Sequence, residues 1–145
     1  GPGPKSSQDD RGILNSMVRK ALRKETLTIY GSGDFMRDYI FIDDVVNAFL
    51  ACPFYHERTN SNYYIIGSGK GHSINAAINM VAGVVERITS LKVDVINVKP
   101  PDELLDIEYR NFVANNSSFK SDTGWFARTN LEEGIIKTVN QFRTN

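Results

Sequence analysis

Apolar residues recur along this chain at the spacing of an amphipathic helix. The first such run is Ile13, Leu14, Met17, Val18, Ala21 and Leu22, which places one face of a helix towards a core. The helices predicted on this ground cover about residues 12–23, 43 or 44 to 52, 74–88 and 116–123, and a last one has Leu131, Ile135, Val139 and Phe142 on its inner face.

Short apolar or alternating runs between these helices predict strands at residues 27–30, 37–42, 63–66 and 93–98, with a further extended piece at 107–113. The run at 63–66 is expected to be buried. Helices and strands alternate, and the strands are few and short, so the fold class is α/β. We expect one small mixed α/β domain over residues 1–145.

Polar residues mark the expected helix starts. Asp43 or Asp44 is predicted to cap the second helix, and Ser73 the third. Thr129 and Glu132 have the spacing of a capping box that opens the last helix, and Gly124 closes the helix before it.

The overall charge limits the classes of partner. The chain has 17 basic and 17 acidic residues, so it offers no electrostatic basis for binding nucleic acid or an anionic membrane. No apolar run approaches the roughly 18 residues of a membrane helix. The single Cys52 and the two histidines exclude a disulfide framework and multi-cysteine metal sites. A cytoplasmic protein fits these features.

Two features suggest anion binding, each with a plainer interpretation. The glycine-rich turn at residues 67–71 lies between a predicted strand and a helix, but His72 stands where a dinucleotide fingerprint needs glycine, which favours a bare turn. Arg37 follows a second glycine turn and offers a forked donor set for phosphate; pairing with Asp34 or Asp38 at the surface explains it equally well. Trp125 is expected to anchor packing.

Longer motifs add a family resemblance. Residues 27–48, LTIYGSGDFMRDYIFIDDVVNA, closely resemble the matching stretch of extended short-chain dehydrogenases, the NAD-dependent nucleotide-sugar epimerases and dehydratases. The run YIIGSG at 64–69 with Ser73-Ile74 resembles that family's YNIGSG segment. TGW at 123–125 with LEEGI at 131–135 resembles its closing motif. The resemblance extends in order over almost the whole chain.

The resemblance implies a nucleotide-sugar-binding role for particular residues. In this family the arginine of the RD string holds the diphosphate, which here is Arg37. The strand before the turn contacts the base, here through Thr28 and Tyr30, and the segment entering the first helix, near Asn15, contacts the diphosphate. A later basic motif is replaced here by Lys99 and Asp102, or served by Arg110.

The same resemblance implies that the NAD-binding Rossmann half, with its catalytic Tyr-x-x-x-Lys pair, is absent from these 145 residues. The chain is then the C-terminal, substrate-binding part of an enzyme that uses NAD when intact. By itself it is expected to be inactive and to bind no cofactor. Its expected partners are a nucleotide-diphosphate sugar and its own Rossmann half, in a homodimeric enzyme. A 4-epimerase is the first expectation; a 4,6-dehydratase or reductase, or a stand-alone binding module, are the alternatives.

Overall fold

The computed structural model describes residues 12–100 and 110–144. Within them the helices are α1 Ile13–Leu22, α2 Ile42–Phe54, α3 His56–Thr59, α4 Ile74–Thr89, α5 Ser117–Thr123 and α6 Leu131–Thr144. The strands are β1 Leu27–Tyr30, β2 Met36–Asp38, β3 Gly71–Ser73 and β4 Val95–Val98. The expected mixed α/β class is confirmed.

The strands form two separate pairs. β1 runs parallel to β4, with Leu27 opposite Val95 and Tyr30 opposite Val98. β2 runs antiparallel to β3, and Arg37 lies opposite His72. A parallel pair needs a long crossover, and here the chain passes through β2, α2, α3, β3 and α4 between β1 and β4.

The main core forms where α1 and α6 pack on α4, with the β1–β4 pair beside them. Among the described elements, α4 contributes the most buried residues to this core, because its successive turns place Ile78, Val81 and Val85 on one buried face. The residues that meet them include Val18 of α1, Leu27 and Ile29 of β1, and Ile135 and Val139 of α6.

A second, smaller core lies under α2 and α5. Phe119 packs edge-on against both Tyr64 and Trp125, with ring centroids 5.1 and 5.6 Å apart. Ala48 of α2 is buried in the same cluster. The prediction that Trp125 anchors packing is therefore confirmed.

Several predicted boundaries are confirmed. Ser73 caps α4 by accepting from the Ala76 N–H at 3.0 Å. Gly124 ends α5 in the left-handed region, with φ of 70°.

Two strand predictions are wrong. Residues 63–66 form no strand, and Tyr63 is 99% exposed, so the apolar run there reflects the half-buried Tyr64 and Ile66 of the second core. The strand predicted at 37–42 stops at Asp38, because its partner β3 is only three residues long and the register ends with Asp38 opposite Gly71. Residues 107–109 of the last predicted extended piece lie outside the described residues.

Two cap predictions are also wrong. α2 begins at Ile42, so Asp43 and Asp44 lie within its first turn and its N-cap is Phe41. The capping box at α6 is one residue later than predicted. Asn130 Oδ1 accepts from the Glu133 N–H at 2.9 Å, and Glu133 accepts from the Asn130 N–H at 3.2 Å. Thr129 cannot play this part because its own N–H is bound by the Asp44 carboxylate.

Among residues 12–100 and 110–144, no helix combines the length and the apolar character that crossing a membrane requires.

Candidate functional site

Arg37 lies in the middle of β2, and its guanidinium is held by backbone oxygens. Its Nη1 donates to the Met36 carbonyl at 3.0 Å and to the Arg110 carbonyl. Phe112 N–H also donates to the Met36 carbonyl, at 3.0 Å, so the segment after residue 109 runs beside β2. The structure therefore brings together two of the predicted basic positions, 37 and 110.

Asp38 fixes the glycine-rich turn to this strand. Its carboxylate accepts from the N–H groups of Ser68 and Gly69, both at 2.9 Å, and from the Ala114 N–H at 3.1 Å. Two amides that a phosphate loop would direct at a ligand are thus already satisfied by this carboxylate. The glycine-rich turn therefore has the structural role that the sequence favours, and the Asp38 carboxylate holds it in place.

Thr28, Tyr30 and Lys99 lie along and after the parallel pair. Thr28 is half-buried, whereas Tyr30 is 54% exposed at the carboxyl end of β1. Gly31 N–H donates to the Val98 carbonyl at 2.9 Å, which keeps the two chains together beyond the strands. Lys99 follows immediately and is exposed, so Tyr30 and Lys99 share one end of this pair.

Asn15 lines a cleft of about 430 Å³ between α1, α6 and the segment after β2. The walls are mostly apolar, and Asp38, Tyr39 and Phe41 form the side that faces α1 and α6. Asn15 therefore lies across this cleft from the residue that follows Arg37. Arg37 itself does not line it. Asp102 lies outside the described residues.

The described residues among those predicted thus fall into three groups: Arg37 with Arg110, Tyr30 and Thr28 with Lys99, and Asn15 at the cleft. The turn between β1 and β2 is fixed to the start of α4, where the Asn75 and Ile74 N–H groups donate to the Gly33 and Phe35 carbonyls at 2.9 and 3.1 Å. These bonds set the distance between β1 and β2 through α4.

Tyr39 is a polar residue of this region that the sequence did not single out. Its hydroxyl is buried and has no hydrogen-bond partner among the described residues. Burial raises the pKa of this phenol, and the positive charge of Arg37 opposes part of that shift. Its position two residues after Arg37 in the same motif is the signal that could have revealed it.

Two features of residues 12–100 and 110–144 concern metal-ligating side chains and the thiol. No group of three or more His, Cys, Asp or Glu side chains there could hold a metal ion. Cys52 is a free thiol, half-buried and donating to the Ala48 carbonyl at 3.5 Å.

Comparison with known proteins indicates the class of protein to which this chain is similar. A family model described as the NAD dependent epimerase/dehydratase family matches residues 1–67. The chain is 30% identical to a UDP-glucose 4-epimerase of Mycolicibacterium smegmatis over 97% of its own length and 42% of the relative's. It is 26% identical to a UDP-glucuronic acid decarboxylase 1 of Xenopus tropicalis, over 97% of this chain and 31% of that protein.

The fold agrees. A crystal structure of UDP-glucose 4-epimerase from Thermotoga maritima with UDP-glucose superposes with a TM-score of 0.77 at 26% identity, over 99% of this chain and 43% of that one. The family resemblance recognised from the motifs is confirmed: residues 1–67 match the model of the NAD dependent epimerase/dehydratase family, and the similar proteins include UDP-glucose 4-epimerases. It spans less than half the length of these relatives.

Proposed function

We propose that this chain is the nucleotide-sugar-binding part of an NAD-dependent enzyme that acts on a nucleotide-diphosphate hexose, as a 4-epimerase. The relatives with UDP-glucose 4-epimerase activity in their names support the reaction. In the intact protein, NAD would exchange a hydride with the sugar. The NAD-binding half, which is not among these 145 residues, would hold the cofactor. In this proposal, the chain described here binds the substrate and orients it.

The observation that carries this proposal is the setting of Arg37. A guanidinium offers a planar donor fork that matches phosphate oxygens. Here two backbone carbonyls, of Met36 and Arg110, fix its orientation. A side chain that is ordered before the ligand arrives loses less conformational entropy on binding, which suits a diphosphate contact.

A calorimetric panel tests the binding class. The chain is titrated with UDP-, GDP-, dTDP- and CDP-glucose, and we expect weak, saturable binding of at least one. Arg37→Gln is expected to weaken it about tenfold or more, since a charge-assisted hydrogen bond contributes roughly 1.5–3 kcal/mol. The matched control is Arg143→Gln, in the exposed last turn of α6, which should bind as the unaltered chain does.

Either of two results would overturn the proposal: no saturable binding of any of the four, or equal affinity for the Arg37 variant and the control. Weak binding is expected because part of the site's wall would come from the NAD-binding half. An affinity equal to that of a full-length relative would contradict that expectation.

We also propose that the NAD-binding half packs on α2. Five large apolar residues follow each other at helical spacing on its outer side and are exposed: Ile42, Val46, Phe49, Leu50 and Phe54. Phe49 is 71% and Phe54 83% exposed. An exposed apolar stripe of this size is typical of an interface, and the relatives possess additional sequence that would cover it.

The alternatives separate on simple measurements. A stand-alone binding module would be encoded by a reading frame with no Rossmann strand and GxxGxxG loop upstream, whereas the enzyme requires both. Product analysis with the full-length protein distinguishes 4-epimerisation from 4,6-dehydration, reduction or decarboxylation, the last being suggested by one relative's name. That the intact enzyme is a homodimer and lies in the cytoplasm stays a prediction.

A further inference from the structure

Residues 110–114 form a segment that lies beside β2 and is joined to it at Met36, the residue before Arg37. The Asn111 Oδ1 accepts from the Met36 N–H at 2.8 Å, and the Phe112 N–H donates to the Met36 carbonyl at 3.0 Å. Both polar backbone groups of Met36 are therefore bound by this segment, although Asn111 is 75 residues away along the chain.

The glycine-rich turn provides the space that this segment occupies. A Cβ at Gly71 would lie 2.7 Å from Val113 Cγ2, and a Cβ at Gly67 would overlap the Ala114 side chain. Glycine is the residue that allows one stretch of backbone to approach another this closely. The two glycines therefore let the 110–114 segment pack against the turn while it is bonded to β2.

This attachment fixes the position of the Arg110 carbonyl, which accepts from Arg37 Nη1. The second acceptor of Nη1 is the Met36 carbonyl, at 3.0 Å. Since Asn111 directly follows Arg110, its bond to β2 determines where the Arg110 carbonyl lies. A guanidinium is planar and rigid, so two acceptors at one of its nitrogens set the direction of the whole donor fork.

We propose that Asn111 is a positioning residue for Arg37: it holds the Arg110 carbonyl, and that carbonyl orients the guanidinium for the diphosphate of the nucleotide sugar. This inference rests on the proposed function. Asn111 does not touch the ligand and acts through the Arg110 backbone. Without its side-chain oxygen the Arg37 side chain would be less ordered, and binding would have to supply the entropy of ordering it.

Calorimetric titration of the 145-residue chain with UDP-, GDP-, dTDP- and CDP-glucose measures the effect on affinity. Asn111→Ala is expected to weaken binding about threefold to tenfold, the range that corresponds to one neutral hydrogen bond. The matched control is Asn115→Ala, an exposed asparagine whose Oδ1 accepts from the nearby Ser117 N–H at 3.1 Å; it should bind as the unaltered chain does. Urea denaturation should show that both variants are folded, since both side chains are exposed.

A second measurement separates positioning from a general structural effect. NMR of the isotope-labelled chain reports the rotation of the Arg37 guanidinium about its Cζ–Nη bonds. In the unaltered chain Nη1 is bound by two carbonyls, so this rotation should be slow and the two Nη nitrogens should give separate signals. The signals should merge in Asn111→Ala and stay separate in Asn115→Ala.

The outcomes distinguish this inference from the proposed function. Weaker binding by Asn111→Ala together with merged Arg37 signals supports the positioning role. Unchanged binding by Asn111→Ala, where Arg37→Gln does weaken binding, would overturn that role and leave the proposed function standing. Weaker binding with separate signals would also overturn it, because Asn111 would then act other than through Arg37. No saturable binding of any of the four sugars to the unaltered chain would overturn the proposed function, and this inference with it.

Discussion

Buried polar side chains at single positions decide how the loops of this protein are held. Asp44 is buried in the first turn of α2, and its two carboxylate oxygens accept from the Arg128 and Thr129 N–H groups at 3.0 and 2.9 Å. It thereby joins α2 to the segment that leads into α6. Its neighbour Asp43 is exposed and offers a matched comparison.

Asp44→Ala is expected to lower the free energy of unfolding by about 2–3 kcal/mol, because two part-buried N–H groups lose a charged acceptor. Asp43→Ala should change it by less than about 0.5 kcal/mol beyond the small loss of a first-turn charge. Urea denaturation measures both. Equal effects of the two substitutions would show that Asp44 contributes only as a helix charge.

Tyr39 predicts a dependence of stability on pH. Its phenol has a raised pKa in the folded chain because of burial, so the folded state retains this proton more strongly than the unfolded state does. The stability that follows is complete below the ordinary tyrosine pKa of about 10 and is lost as the pH rises above it.

Tyr39→Phe is expected to remove this alkaline loss and, by removing an unpartnered buried hydroxyl, to leave stability at pH 7 unchanged or raised by about 1 kcal/mol. Tyr63→Phe, at a position that is 99% exposed, should behave as the unaltered chain at every pH. Thermal denaturation at pH 7 and above pH 10 checks this. A Tyr39→Phe chain that is clearly less stable at pH 7 would contradict the buried, unpartnered hydroxyl.

At the scale of elements, the turn between β1 and β2 depends on Gly33. Its φ is +69°, and a Cβ there would lie 2.6 Å from Ile29 Cγ2 and 3.0 Å from the Asn75 nitrogen. Gly83, in the interior of α4, has nothing within 4 Å of such a Cβ. The same substitution therefore has opposite expected signs at the two positions.

Gly33→Ala is expected to destabilise the chain by about 2 kcal/mol or more, through backbone strain and overlap. Gly83→Ala should stabilise it by roughly 0.5–1 kcal/mol, because glycine is a poor helix former. Denaturant midpoints of the two variants give the comparison. Destabilisation of similar size at both positions would argue against the described geometry of the turn.

The elements also show where sequence reasoning succeeds. The helices α1, α4 and α6 could be predicted because each places apolar residues on one face at a constant period. The segment at 63–66 could not, since local apolarity does not reveal whether a partner strand exists; no described strand pairs with it. The capping box was misplaced by one residue because the distant Asp44 takes the Thr129 N–H.

The candidate site was predictable only through motifs. Charge and spacing alone left Arg37 undecided between a ligand contact and a surface ion pair. Its contact with the Arg110 carbonyl joins positions 73 residues apart, and no local pattern predicts that contact. Tyr39 went unnoticed because an isolated tyrosine on an alternating run is indistinguishable from a packing residue until its hydroxyl is known to be buried.

For the whole molecule, the exposed stripe of α2 predicts different behaviour in short and long forms of the protein. In this chain Phe49→Ser with Phe54→Ser should leave the free energy of unfolding nearly unchanged, since both rings are largely exposed, and should reduce binding of an apolar dye. In a longer form that carries the NAD-binding half, the same pair should destabilise the protein by about 2 kcal/mol or more.

Chemical denaturation of both forms provides the measurement, and the buried Phe119→Ser serves as a control that should destabilise both. A pair of substitutions that destabilises the short chain as much as the long one would mean that the stripe is packed within the chain itself. In that case α2 would no longer support an interface with the NAD-binding half.

The most direct test of the central claim is an NMR titration of the isotope-labelled chain with UDP-glucose. The account predicts that shift changes concentrate at Thr28, Tyr30, Arg37 and Arg110, saturate at weak affinity, and disappear in Arg37→Gln while persisting in Arg143→Gln. Shift changes that avoid these residues, or that survive unchanged in the Arg37 variant, would contradict the assignment of this chain as a nucleotide-sugar-binding part.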